Sequence, residues 1–199
     1  YLLPLSHDEV VHGKATILQK MHGGYDGKFP QARALYLYMM VHPGKKLNFM
    51  GNEIGHFREW DEHREQDWLL RDFPIHDAFY HYMAQLNHIY LDHPALSRWD
   101  YRPEGFAWLD GSGEESCVFA IQRQGGGERL VALFNFGAQA RQYRLPATAG
   151  AKLLLHTDWQ RFGGSTPEGE EPRPSGGVLT VCLPPCSGQL FCMESCKYS

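Results

Sequence analysis

A histidine–aspartate pair within the run SHDEVVHGK, residues 6–14, is the part of the sequence best suited to chemistry. His7 and Asp8 follow a short apolar segment, residues 1–5, of the kind that forms a buried parallel strand. In β/α barrels the chemistry is built at the carboxyl ends of the strands. The sequence therefore puts a charged, hydrogen-bonding pair where a barrel enzyme would need it.

The residues after this pair predict a helix and a second strand that would hold it. Pro30 is expected to open a helix over residues 31–42, which are apolar on nearly all sides. Pro43-Gly44 would end this helix, and residues 46–50 are predicted to form a short strand. Strand, helix and strand together indicate a right-handed parallel crossover.

A long charged loop, residues 51–74, separates the second strand from a further helix. Loops of this length without structure of their own are usually functional or disordered, and the tryptophans at 60 and 68 argue against disorder. Residues 77–92 carry apolar side chains at helical spacing, which predicts an amphipathic helix ending before Pro94.

The second half of the chain has the pattern of an all-β domain. Short apolar segments are separated by glycine-rich turns, which predicts an antiparallel β-sandwich. The predicted strands cover residues 106–109, 117–121, 130–136, 143–145, 152–155, 178–183 and 189–193. We therefore expect two domains, residues 1–97 and 98–199.

Composition excludes several classes of function. The 199 residues carry a net charge of −4 and are 43% hydrophobic, so a packed core is expected. No basic stripe indicates a nucleic-acid partner, and no apolar run is long enough for a membrane span. Tyr1 lies inside the apolar segment without features of a signal peptide, so we expect part of the protein to lie upstream.

The cysteines argue against both a disulfide framework and a metal site. Their number, five, is odd, and four of them follow a C-x3-C-x5-C-x3-C spacing that suits neither a zinc ribbon nor a zinc finger. Cys182 lies in an apolar segment and is expected to be buried. We predict no metal and no cofactor, and a reducing, cytoplasmic location.

Two segments together resemble one enzyme family. They are LPLSHDEVVHGK, residues 3–14, and PGKKLNFMGNE, residues 43–53. The first is similar to the fourth signature region of glycogen branching enzymes, the 1,4-α-glucan branching enzymes of the α-amylase family, in their bacterial form, and the resemblance continues through the second. The similarity continues through Arg58-Glu59-Trp60, Asp67-Trp68, residues 93–96, residues 105–108 and Leu183-Pro184-Pro185.

The resemblance implies a fold, a reaction and roles for the pair. The family has a (β/α)8 barrel followed by an all-β domain, so residues 1–97 would hold the last two strands and helices of the barrel. Its members cleave α-1,4-glucan and re-form α-1,6 branches by a retaining mechanism, in which one carboxyl is the nucleophile and another the acid and base. Asp8 matches the third carboxylate, which stabilises the transition state, and His7 matches the histidine that hydrogen bonds a sugar hydroxyl.

Other positions carry weaker expectations. Glu59 and Trp60 lie in the loop after the second strand and could contact glucan, or Trp60 could pack that loop against the barrel. Glu53 is either a sugar ligand or a structural hydrogen-bond acceptor.

The resemblance leaves three interpretations open. A complete barrel needs about 250 residues, and no stretch here matches the nucleophile or acid/base regions. We therefore expect an inactive C-terminal part whose partners are an α-glucan and the rest of its own barrel. The other two interpretations are a β-domain that serves as a glucan-binding or packing module, and another α-amylase-family hydrolase or debranching enzyme. Until its barrel partner is present, the partial barrel is expected to expose apolar edges and aggregate.

Overall fold

Two long helices and two antiparallel sheets organise the chain in a computed structural model, which describes residues 4–111, 113, 115–147, 150–169 and 171–195. Helix α1 spans Tyr25–Val41 and helix α2 spans Pro74–Asp92. The strands are β1 (Phe106–Asp110), β2 (Val118–Gly125), β3 (Glu128–Asn135), β4 (Arg141–Pro146), β5 (Lys152–His156), β6 (Val178–Leu183) and β7 (Ser187–Ser195). Neither helix is long and apolar enough to cross a membrane, within the described ranges.

The two predicted N-terminal strands meet in a single parallel bridge between Leu5 and Asn48. The Leu5 amide donates to the Leu47 carbonyl at 3.1 Å, and the Phe49 amide donates to the Leu5 carbonyl at 2.8 Å. Residues 1–3 lie outside the described residues, and the expected strand over 46–50 does not extend beyond this bridge. The physical reason is that two strands alone are marginally stable, and the described part of the chain supplies no third strand beside them.

Helix α1 begins at Tyr25 and not at the predicted residue 31, so Pro30 lies inside it. A proline there removes one intrahelical hydrogen bond, that to the Asp26 carbonyl. Burial compensates, since Phe29, just before the proline, is 0% exposed and Leu37 is equally buried. Tertiary packing therefore extends the helix past a residue that local rules would place at its start.

The loop before helix α2 has secondary structure of its own, which the sequence did not predict. It contains 3₁₀ turns at Asn52–Ile54 and Trp68–Asp72, and helix α2 starts at Pro74 with the proline in its first turn. The amphipathic face predicted for this helix is present, since Phe79, Tyr82 and Leu86 are buried.

The second half forms a five-stranded antiparallel sheet in the order β1-β2-β3-β7-β5 and a two-stranded sheet, β4-β6. The antiparallel prediction is confirmed, although the two layers are unequal in size. Strand β7 lies so close to helix α1 that a Cβ on Gly188 would sit 2.9 Å from the Leu37 side chain. The large sheet therefore packs on helix α1, and one hydrophobic core joins both halves of the chain.

Two buried arginines cross this helix–sheet junction in opposite directions. Arg33 of helix α1 donates to the Thr157 carbonyl at 2.5 Å and to the Phe162 carbonyl at 3.0 Å. Arg123 of strand β2 donates to the Val41 carbonyl, at the end of helix α1, at 2.6 Å. Burial lowers the pKa of Arg33, an effect partly opposed by Tyr82 and Asp158. Neither arginine was singled out from the sequence.

Cys117, Cys182 and Cys186 are free, and Cys196 lies outside the described residues. Cys182 is exposed, so its expected burial was wrong. The reason is strand alternation: Val181 and Leu183 face the core, which turns the residue between them outward. Across the described ranges, no three His, Cys, Asp or Glu side chains are arranged to hold a metal ion.

Candidate functional site

His7 and Asp8 lie on a one-turn 3₁₀ helix, His7–Glu9, that follows the bridged residue Leu5. Ser6 caps this turn, because its hydroxyl accepts a hydrogen bond from the Asp8 amide at 3.3 Å. His7 Nε2 lies 3.3 Å from Asp8 Oδ1, and the two side chains are 54% and 67% exposed. The pair, which the sequence places after a strand, thus follows the bridged residue Leu5, and both of its side chains are accessible.

An aromatic wall supports the histidine. The ring of His7 lies 5.9 Å from Phe49 and 6.4 Å from Trp60, and the Trp60 ring meets Phe49 edge-on at 5.3 Å. The Trp60 amide donates to the Val10 carbonyl at 3.0 Å, which ties the loop after Phe49 to the loop after His7. Sequence reasoning noted Trp60 but missed Phe49, whose place one residue beyond the bridged Asn48 was the available signal.

Glu59 bonds the backbone of the other loop. One of its carboxylate oxygens accepts from the Gly13 amide at 2.9 Å, and the second accepts from the Ala15 amide at 2.7 Å. These two bonds lower the pKa of Glu59, with smaller contributions from His12 and Lys20. The carboxylate is therefore stabilised in its ionised form.

A cavity of about 940 Å³ opens between these loops. Its lining mixes apolar, acidic and basic groups, as a site for a polar ligand with apolar faces does. The lining residues are His7, Val11, His12, Phe49, Met50 and residues 58–64. Of the predicted site residues, His7, Glu59 and Trp60 line this cavity, whereas Asp8 lies beside it in contact with His7.

Glu53 lies apart from the cavity, in the 3₁₀ turn Asn52–Ile54. It is close enough to the buried Tyr36 hydroxyl to add to the rise in the pKa of Tyr36, which burial dominates. The structure therefore does not bring Glu53 together with His7 and Asp8.

An ion pair fixes the rim of the cavity. Arg58 donates from Nε to one carboxylate oxygen of Asp67 at 3.2 Å and from Nη2 to the other at 3.0 Å. This contact lowers the pKa of Asp67 against an opposing effect of burial. His56 braces the same turn, since its Nε2 accepts from the Asp67 amide at 2.9 Å. The 58–67 segment is thus held at both ends before any ligand is present.

Chemically, the arrangement offers an ionisable carboxylate beside an imidazole, an aromatic wall and a groove with charged edges. A carboxylate and an imidazole can accept and donate hydrogen bonds to neighbouring hydroxyls of one substrate. An aromatic wall offers an apolar surface to the non-polar face of a ring. The site is therefore suited to a polyhydroxylated ring compound.

Comparison with known proteins gives consistent results. Residues 108–193 match the family model described as "Alpha amylase, C-terminal all-beta domain". The chain is 40% identical over 207 residues to the 1,4-alpha-glucan branching enzyme GlgB of Oceanobacillus iheyensis, covering 98% of this chain and 32% of that protein. It is 43% identical to the enzyme of the same name from Leifsonia xyli, covering 96% of this chain and 28% of that protein. The chain therefore spans about a third of the length of these relatives.

Solved structures show the same fold at low sequence identity. An alpha-amylase from H. orenii matches with a TM-score of 0.65 at 14% identity, covering 95% of this chain and 38% of that one. A debranching enzyme from Nostoc punctiforme matches with a TM-score of 0.58 at 21% identity, covering 83% and 31%.

Proposed function

Because the chain belongs to the family of bacterial 1,4-α-glucan branching enzymes, we propose that it is the C-terminal part of an enzyme that cleaves α-1,4-glucan and rejoins the released chain as an α-1,6 branch. The observation that carries the proposal is the accessible His7–Asp8 pair, of which His7 lines an aromatic-walled cavity and Asp8 lies beside it. The substrate is then an α-glucan of the glycogen or amylose type, and the enzyme needs no cofactor.

The role we assign to Asp8 follows from the transition state of glycoside transfer. That state resembles an oxocarbenium ion, and the sugar ring flattens as it forms. A fixed carboxylate that hydrogen bonds the ring hydroxyls more strongly in the flattened ring binds the transition state more tightly than the substrate. His7, held 3.3 Å from Asp8, donates a second hydrogen bond to the same edge of the sugar.

The nucleophile and the acid/base group are proposed to come from barrel segments that this chain does not contain. In a retaining enzyme those two carboxyl groups lie about 5–5.5 Å apart. The carboxylates in the cavity here are Glu59, Asp61 and Glu62, all on one loop, and Glu59 is already bonded to backbone amides. The share of the relatives that the chain covers, 32% or less, supports the same division.

We also propose that residues 1–97 complete a (β/α)8 barrel and that residues 98–199 form the all-β domain after it. The parallel bridge of Leu5 with Asn48, on either side of helix α1, supports this assignment. A cytoplasmic location belongs to the same proposal.

The test replaces Asp8 by Asn in the full-length enzyme that carries this chain. We expect kcat for branching of amylose to fall at least about 10²–10³-fold, since a group that stabilises the transition state is lost. Branch points are counted after debranching, and Asp92→Asn, an exposed change at the end of helix α2, is the control. Unchanged branching by Asp8→Asn would refute the proposed role.

The 199-residue chain alone is predicted to be inactive. Incubation with amylose should leave the iodine-complex spectrum unchanged, because the nucleophile and the acid are proposed to lie in other segments of the barrel. A shift of that spectrum with purified chain would contradict the division of the active site proposed above.

Neither alternative function gains a specific supporting observation. The amylase and debranching-enzyme matches have 21% identity or less and concern the fold, whereas the branching enzymes are 40–43% identical. A free-standing glucan-binding β-module is disfavoured, because the large sheet packs against helix α1 and shares its core.

A further inference from the structure

The turn after the His7–Asp8 pair has an unusual backbone. His12, Gly13 and Ala15 have φ angles of 59°, 78° and 65°, all in the left-handed region. Residues with a Cβ rarely adopt this backbone conformation, so contacts from elsewhere in the protein must stabilise it at His12 and Ala15. This four-residue segment, residues 12–15, is called the left-handed turn below.

Glu59 supplies that support. Its two carboxylate oxygens accept from the Gly13 and Ala15 amides at 2.9 Å and 2.7 Å, although Glu59 is 44 residues away along the chain from Ala15. Hydrogen bonds from amides to an ionised carboxylate are stronger than those to a neutral acceptor. The neighbouring Trp60 amide bonds the Val10 carbonyl at 3.0 Å, so three bonds join the two loops.

The left-handed turn is connected directly to the pair. Glu9, Val10 and Val11 separate them, and the two valines are buried, at 3% and 7% exposure. The Val10 amide donates to the His7 carbonyl at 2.9 Å and closes the 3₁₀ turn that carries Asp8. A shift of the left-handed turn would therefore displace the 3₁₀ turn through these two buried valines.

We propose that Glu59 is a positioning residue, which holds the left-handed turn through the Gly13 and Ala15 amides and thereby fixes His7 and Asp8 against the sugar. This inference rests on the proposed function. It differs from the sequence expectation that Glu59 contacts glucan, because both of its oxygens are already bonded to the protein backbone. Trp60 remains the residue of this loop that is proposed to face the glucan.

The activity test uses Glu59→Gln in the full-length enzyme. Glutamine keeps the shape but turns one acceptor into an NH2 group, which would face a backbone N–H. We expect kcat to fall about 10- to 100-fold, since misplacement by about 1 Å can cost that much, with KM within about 2-fold. The control is Glu65→Gln, the same change at an exposed position of the same loop that does not line the cavity.

A second measurement does not depend on activity. In the full-length enzyme, the NMR signals of the Gly13 and Ala15 amides should titrate together with the Glu59 carboxyl group. The same two signals should lose this titration in Glu59→Gln and keep it in Glu65→Gln. The other charged groups that act on Glu59 are His12 and Lys20.

The outcomes separate the positioning role from its rivals. A higher KM with unchanged kcat would mean direct glucan contact and overturn the proposal. A loss of kcat that merely follows a lower melting temperature would also overturn it, since that is a general effect on stability. If the unmutated enzyme does not branch glucan, the proposed function fails; the amide titration then decides the positioning role alone, and its absence overturns it.

Discussion

Removal of the Arg123 side chain is the most informative test of how the two halves are joined. This charged side chain is 1% exposed and reaches from strand β2 to the end of helix α1. It donates to the Gly105 carbonyl at 3.0 Å and to the Val41 carbonyl at 2.6 Å, and its third nitrogen pairs with Asp100 at 2.5 Å. Arg123→Ala removes all of these contacts and leaves Asp100, only 7% exposed, as a buried charge without its partner.

The expected loss is large relative to the stability of a domain. Breaking a buried ion pair by removing one partner costs about 3–5 kcal/mol. The carbonyl of Val41 also loses a charge-assisted hydrogen bond, a contact of about 1.5–3 kcal/mol that does not add in full. A total of about 4 kcal/mol is therefore expected, against a typical free energy of unfolding of about 5–15 kcal/mol.

Urea unfolding followed by tryptophan fluorescence measures this loss. With a slope of about 2.5 kcal/mol per M, the midpoint should fall by about 1–2 M. Arg144→Ala, at an exposed position of strand β4, should shift the midpoint by less than about 0.3 M. Equal shifts for the two variants would refute the reasoning, because Arg123 would then contribute no more than a surface arginine.

Two further predictions concern stability. Burial holds the pKa of His156 at about 4, so the unfolded chain binds a proton that the folded chain does not as pH falls from about 6.5 to about 4. The free energy of unfolding should fall by up to about 3 kcal/mol over that window. His156→Gln should reduce this dependence on pH, measured by urea unfolding at a series of pH values; an unchanged dependence would contradict the argument. Gly105→Ala should lower the melting temperature, since its Cβ would lie 2.2 Å from the Trp99 carbonyl oxygen. Gly27→Ala, in helix α1 with nothing within 4 Å of its Cβ, should raise stability by about 0.5–1 kcal/mol, and the reverse order of the two variants would refute the steric argument.

Local pattern was sufficient to predict the strands of the second half. Strand β6 begins and ends at the predicted residues, because alternating core-facing side chains and flanking turns specify a strand without reference to its partners. The same rules misplaced the start of helix α1, where burial of Phe29 outweighs the effect of Pro30. They also gave Cys182 the wrong face, because an apolar segment was read without its alternation.

The candidate site was predictable only in part. A histidine–aspartate pair after an apolar segment is visible in the sequence, as is the tryptophan of the later loop. The bonds of Glu59 to Gly13 and Ala15 were not predictable, since they join residues far apart through backbone amides that carry no sequence signal. Arg33 and Arg123 were hidden for a related reason: each bonds main-chain carbonyls far away along the chain, which carry no sequence signal.

The buried arginines connect the all-β half to the geometry of the site. Helix α1 follows the loop that carries His7 and Asp8 and precedes the bridge residue Asn48, so its position sets the spacing of the two loops. Arg123 binds the carboxyl end of this helix, and Arg33 anchors its middle to the turn after strand β5. The β-domain thus fixes helix α1, which lies in the chain between the loop of His7 and Asp8 and the loop that follows Asn48. Substitution of Arg33 or Arg123 should therefore disturb the hydrogen bonds of Glu59 to the left-handed turn, although neither arginine lines the cavity.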